Sequence, residues 1–202
     1  YIGLKEEKDL MVKAISSKKI NSSLKNKELI RVNLGYVGDK LIATPLSSGA
    51  GVTMSLVKAD GIGIIPQKLE GIDAGGQIDV RLLKPLNQIK ETLVSIGSHD
   101  IIMDILGDMM NLNSGHVGSM GGILAMRRGE CHIAPINLLD LENGEYNISY
   151  VKKYFPNEKM AIIKGVKRHQ GFIVEKGNPH NIRDFSDLNR EDVIYVNRQR
   201  GA

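Results

Sequence analysis

Tryptophan is absent from this chain of 202 residues, and phenylalanine occurs only three times. A core must therefore be filled by Ile, Leu, Val and Met, which the 42% hydrophobic content supplies in ordinary measure. Cysteine occurs once, at Cys131. That excludes an internal disulfide and suits a reducing, cytoplasmic compartment. No apolar run is long enough to span a bilayer, and no basic-then-apolar opening marks a signal peptide. Charge of one sign is also scarce. The net charge is +4, with Lys and Arg interleaved among acids rather than massed in a stripe, which argues against nucleic acid as a partner. Metal-ligand spacing is missing too. No Cys-x-x-Cys or His-x-x-x-His occurs, and Cys131 and His132, adjacent in an expected strand, point to opposite faces, so no metal site is expected. Gly97-Ser98-His99 lacks the Gly-x-Ser-x-Gly elbow, and Ser47-Ser48-Gly49-Ala50-Gly51 does not extend into a phosphate loop but reads as a flexible barrel loop. The chain opens on Tyr1, and it is expected to be a piece of a longer protein.

What is present changes period near Pro85. Before it, residues 1–27 form a polar, Lys-rich lead-in, expected to be part helix and part extended, with a weak helical face at Leu10, Met11, Ala14 and Ile15. Ile30, Val32 and Leu34 then alternate with polar residues, the signature of a half-buried strand. Gly38-Asp39 turns the chain into a returning strand at Lys40–Ala43. Further strands are expected at Ser55–Lys58, at Ile62–Ile65 and through Ile78, Val80 and Leu82, with Asp73–Gly76 as a turn. Short strands joined by glycine-rich turns predict a small β-barrel or sandwich over residues 1–86.

From residue 87 to 202 the pattern becomes α/β. The strand Leu93–Ile96 stops at Gly97-Ser98-His99-Asp100, and a helix is expected through Ile101, Ile105 and Met109. The grammar repeats at Val117-Gly118-Ser119-Met120, which leads into a second helix closed by Arg127-Arg128-Gly129. Cys131–Ile136 reads as a strand ending beside the others, at Asn137. Beyond it, a loop at Asp140–Asn147, a helix over Ile148–Phe155, strands at Met160–Lys164 and Gly171–Val174, a short helix over Asp184–Leu188 and a strand at Val193–Val196 are expected. Twice, a small polar residue follows glycine at a helix start, where unpaired N–H groups and the helix dipole favour an anion. The alternative expectation on the same residues is that Ser98 and Ser119 are ordinary N-caps. Asp100 conflicts with a bare anion, since a carboxylate about 5 Å away costs roughly 3 kcal/mol at an effective dielectric of 20.

These motifs support a resemblance. Arg31–Leu34, Gly38–Leu46, Ser48–Gly51 and Lys58-Ala59-Asp60-Gly61 resemble the C-terminal β-barrel domain of MoeA-type molybdopterin molybdenumtransferases. Gly97–Asp100, His116–Gly122, Gly144–Asn147 and Val196–Gly201 resemble the periplasmic-binding-protein-like domain fused after that barrel in some members. The resemblance implies an α+β multidomain chain: a small β-barrel, then a type II binding-protein-like α/β domain truncated in its second lobe. It further implies a cytoplasmic role in molybdenum cofactor biosynthesis. The family's catalytic domains lie upstream, so no catalytic residue is carried over. The candidate ligand-binding set is Ser98, His99, Asp100, Gly118, Ser119, Met120, Asn137 and Arg198. Its expected ligand is molybdate or tungstate, with molybdopterin or a nucleotide-activated pterin as the alternative and no covalently bound cofactor. A non-catalytic sensor or scaffold module is the third reading. A homodimer through the parent protein and no membrane partner complete the expectation.

Overall fold

The computed structural model describes residues 10–46, 54–167 and 171–196. In chain order the first elements are β1 (Met11–Ser16), the short β2 (Ile20–Asn21), β3 (Glu28–Val37), β4 (Lys40–Pro45), α1 (Met54–Lys58), β5 (Gly61–Ile65), the short β6 (Gly71–Ile72), β7 (Gln77–Leu82) and α2 (Leu86–Ile89). Five of these strands close a barrel in the order β1-β4-β3-β5-β7, with β7 returning to β1. All pairs are antiparallel except β1 with β4. The two-residue Gly38-Asp39 turn joins β3 to β4, and the positive φ of Gly38 supplies the left-handed first position such a turn requires. Inside, Ala14, Val32, Leu34, Leu41, Ala43, Ile65, Ile78 and Val80 form one buried cluster, joined by Ile89 of α2. Asp60 fastens this region: its carboxylate accepts from the Leu34 N–H at 2.9 Å and from Lys84 Nζ at 2.7 Å.

Two readings of the barrel sequence are corrected. Of the weak helical face, Met11, Ala14 and Ile15 lie in strand β1, the extended part of the lead-in, because both faces of that strand are used. Ala14 points into the barrel, while Ile15 faces outward beside its register partner Ile42. Ser55–Lys58 lies within helix α1 rather than a strand, and Leu56 and Val57 are exposed there with no ladder. The Ser47–Gly51 loop lies outside the described residues.

The α/β part continues with β8 (Leu93–Gly97), α3 (Ile101–Met109), β9 (Leu112–His116), α4 (Gly118–Arg127) and α5 (Ile148–Tyr154). β8 and β9 pair in parallel, with Gly97 opposite His116. Cys131–Ile136 does run parallel beside β8, through a bridge from Ser95 to Ile133 and backbone hydrogen bonds in which His132 N–H donates to Val94 O at 2.9 Å, Ile96 N–H to Ile133 O at 3.1 Å and Ser98 N–H to Pro135 O at 2.7 Å. Pro135 has no N–H to give, so the pairing lacks one rung and the segment stays an irregular third strand. A second cluster, Ile42, Val94, Ile96, Ala125 and Cys131, with Ile15 packed against it, joins this layer to the outer face of the barrel. A side-chain Cβ at Gly35 would lie 2.5 Å from Val94 Cγ2, so glycine there leaves the space that β8 fills.

Residues 163–202 form a separate compact unit. A short 3₁₀ helix, Phe185–Asn189, falls where Asp184–Leu188 was expected and begins at a capping box between Asp184 and Asp187. Phe172 packs edge-on against Phe185 at 5.0 Å. The expected strands at Met160–Lys164, Gly171–Val174 and Val193–Val196 do not form, since their backbones find no ladder partner among the described residues.

Candidate functional site

Parallel pairing of β8 and β9 fixes where the site lies. Both strands end on one edge, and each is followed by a helix, so the starts of α3 and α4 share a rim. The two starts are built differently. At α3, Asp100 is the N-cap and accepts from the Ile102 N–H at 3.0 Å, so its carboxylate is engaged with its own helix. At α4, the N-cap is Val117 and no side chain caps the helix. Gly118 there has φ +77°, and a Cβ added to it would meet nothing within 4 Å, so the approach to this end is open.

Asn137 draws the rim together. Its Oδ1 accepts from Ser119 Oγ at 2.6 Å and from Ser98 Oγ at 3.3 Å, while its own backbone N–H donates to Ser119 Oγ at 3.0 Å. Three of the sequence-derived residues, 39 positions apart at the extremes, thus meet through hydrogen bonds. Gly118 and Met120 flank Ser119 in the first turn of α4. His99 stands between Ser98 and the cap Asp100, exposed, with its Nδ1 3.3 Å from His116 Nε2. Arg198 lies outside the described residues. Among the described residues no group of three or more His, Cys, Asp or Glu converges to hold a metal ion.

Chemically, the rim offers hydroxyls that rotate between donating and accepting, an amide with both functions, and the uncapped N–H groups of α4. Close packing holds these parts in place. A Cβ at Gly122 would stand 2.8 Å from both Gly97 Cα and Ile96 O, so α4 lies directly on the end of β8. A Cβ at Gly97 would in turn lie 2.4 Å from Pro135 O, which ties the segment before Asn137 to the same strand end. Behind the helix, Arg128 donates to Glu130 through Nε and Nη2, both at 2.7 Å, and Lys40 of the barrel donates to the Arg128 carbonyl.

Ser114 and His116 stand outside the sequence-derived ligand set, although His116 opens the His116–Gly122 motif, since Leu112–His116 has a single apolar residue and shows no strand pattern. The signal available was only the return from α3 to a second helix start, which in a parallel sheet demands a strand between. Sequence reasoning also passed over a groove of about 750 Å³ on the barrel, bordered by Lys18, Lys19, Lys27, Glu28 and Arg31. The Lys-rich composition of the lead-in was its trace.

Comparison with known proteins divides the chain in the same order. Residues 13–83 match the MoeA C-terminal region (domain IV), and residues 106–202 match a PBP superfamily domain. An uncharacterized protein of Bacillus subtilis, YvgK, is 37% identical over 116 residues, covering 54% of this chain. The chain spans only 37% of that curated relative's length. Among solved structures, the molybdopterin biosynthesis moeA protein of Pyrococcus horikoshii is 29% identical over 37% of this chain and 18% of its own, with a TM-score of 0.32. A molybdenum cofactor biosynthesis protein of Pyrococcus furiosus is 28% identical over 40% and 28%, with a TM-score of 0.33. The chain therefore carries a MoeA-type C-terminal region, built as a small closed β-barrel, followed by a PBP-like domain.

Proposed function

We propose that this chain is the ligand-binding region of a protein acting in molybdenum cofactor biosynthesis, and that it captures an oxyanion, molybdate or tungstate, at the rim between α3 and α4. The MoeA C-terminal match supports the cofactor context. The observation that carries the ligand reading is the convergence of Ser98 and Ser119 on Asn137 beside the uncapped start of α4. Hydroxyls and backbone N–H groups at a helix start are the donors a tetrahedral oxyanion needs. Asp100 weighs less against an anion than its position in sequence implies, because its carboxylate is held by Ile102.

Isothermal titration of the full chain with molybdate, tungstate and sulfate tests this. Saturable binding is expected, weakened about fivefold or more by Ser119→Ala, which removes the anchor of Asn137 and a hydroxyl that can turn from Asn137 to donate to the anion. Absence of heat with every oxyanion would end the reading, and saturable binding of a pterin instead would assign the rim to the cofactor precursor.

A further inference from the structure

The rim carries a second polar group that the oxyanion donors do not use. His99 and His116, 17 residues apart in sequence, bring Nδ1 and Nε2 to 3.3 Å, with ring centroids 4.2 Å apart and planes tilted by 46°. The strand register creates this meeting. His116 ends β9 directly opposite Gly97, the residue before Ser98, so the imidazole pair lies on the same edge as the two serines. Ser114 Oγ of β9 stands 3.1 Å from His116 Nε2, and Asp104 Oδ2 of α3 stands 3.9 Å from His99 Nε2.

Two ring nitrogens this close cannot both carry hydrogen without repulsion. One proton shared between them gives a charge-assisted N–H⁺···N bond with Asp104 as its counter-ion, whereas a second proton would set two cations in contact. We propose that this pair takes up one proton when a dianion occupies the rim, so that oxyanion capture is coupled to protonation and is favoured as pH falls. The proposal rests on the oxyanion reading above and adds His116 to the groups that act on the ligand.

Burial, and then the charge of His99, hold His116 below the ordinary histidine value. Asp104 pulls in the opposite direction, and Lys18, which follows β1, adds to the lowering. Asp100 neighbours His99 in sequence with its carboxylate turned onto α3. An arriving dianion opposes the lowering and raises the proton affinity of the pair. The sign follows: affinity is highest below the free pair's pKa, falls as pH rises toward the pKa of the occupied pair, and is level above it. One coupled proton gives at most about a tenfold change in affinity per pH unit.

The test is calorimetric titration of the full chain with molybdate at about pH 6, 7 and 8, the range in which histidine titrates. Each titration is run in two buffers of different ionisation enthalpy, with sulfate as an anion that stays doubly charged throughout. Affinity for both anions is expected to fall severalfold per unit across part of this range, with net proton uptake on binding. His116→Gln and, separately, His99→Gln are expected to flatten the profile and abolish the uptake. Binding of equal affinity at all three pH values without proton uptake overturns the proposal and leaves the oxyanion reading standing, as does a slope that survives in both variants. No binding of either anion at any pH removes the oxyanion reading and this proposal with it.

Discussion

Placing alanine at Gly122 sets two effects of opposite sign against each other. In the middle of α4, replacing glycine should stabilise the helix by about 0.5–1 kcal/mol through backbone entropy. The packing says otherwise. The new methyl would lie 2.8 Å from Gly97 Cα and 2.8 Å from Ile96 O, both backbone atoms of β8, and 3.4 Å from Ala134 Cβ. Ordinary carbon contacts begin near 3.5 Å, so α4 must retreat by roughly 0.7 Å from the strand it covers. Overpacking of this kind costs about 1–3 kcal/mol, so a net destabilisation of about 1–2 kcal/mol is expected. Gly107 in α3 is the control, because a Cβ there meets nothing within 4 Å. Gly107→Ala should therefore stabilise by about 0.5–1 kcal/mol. In urea unfolding, with a slope of about 2 kcal/mol/M, the midpoint should fall by about 0.5–1 M for Gly122→Ala and rise by about 0.3–0.5 M for Gly107→Ala. A midpoint that rises for Gly122→Ala would refute the close seating of α4 on β8. It would also undermine the site, because that seating carries Ser119 to Asn137.

Asp100→Ala should cost about 1 kcal/mol by removing the cap on Ile102, whereas Asp100→Asn keeps the cap and removes the charge. The second variant should tighten molybdate by about twofold to tenfold in calorimetry, and weaker binding would show that the ligand donates to this carboxylate. Burial pushes the Cys131 thiol up to about 12, so native protein should react very slowly with a disulfide reagent at about pH 8 and rapidly once unfolded. By linkage, the thiol's share of stability is complete below about pH 9 and is lost as pH rises toward 12, which chemical unfolding at rising pH would detect. Glu130→Gln should lower stability by about 1–2 kcal/mol, since its carboxylate is nearly buried against the half-exposed Arg128; an unchanged urea midpoint would show that the pair contributes nothing.

The strands that sequence made legible are those with one face in the barrel and one outside it. Ile30, Val32 and Leu34 in β3, and Ile78, Val80 and Leu82 in β7, alternate because only every second position is buried. β1 escaped detection because Ala14 and Ile15 are buried on opposite sides, which erases the alternation and leaves helix-like spacing. β9 escaped for another reason. Its interior is held by Asn113, whose amide donates to the Asn33 carbonyl, and by Gly115 close to Ser17, so apolar residues are few. Helix starts depend on local chemistry, and the Gly-Ser spacing marked both regions, but the caps are Asp100 and Val117 rather than Ser98 and Ser119. The bonding through Asn137 and the contact between His99 and His116 depend on a parallel register, which no local pattern encodes.

Ile42 has a consequence beyond packing. On β4 its neighbours Leu41 and Ala43 face the barrel interior, while Ile42, with none of its surface exposed, lies under Val94 and Ile96. One strand thus contributes to two cores at consecutive residues, and loss of either core strips cover from the other. The barrel and the β8–α4 layer should consequently open as one cooperative unit, with matched amide-exchange protection in β4 and β8. A chain ended at Pro85 would leave Ile15 and Ile42 facing water as a paired apolar patch and would tend to self-associate. The match to the MoeA C-terminal region ends at residue 83, whereas cooperative opening should run beyond it into β8.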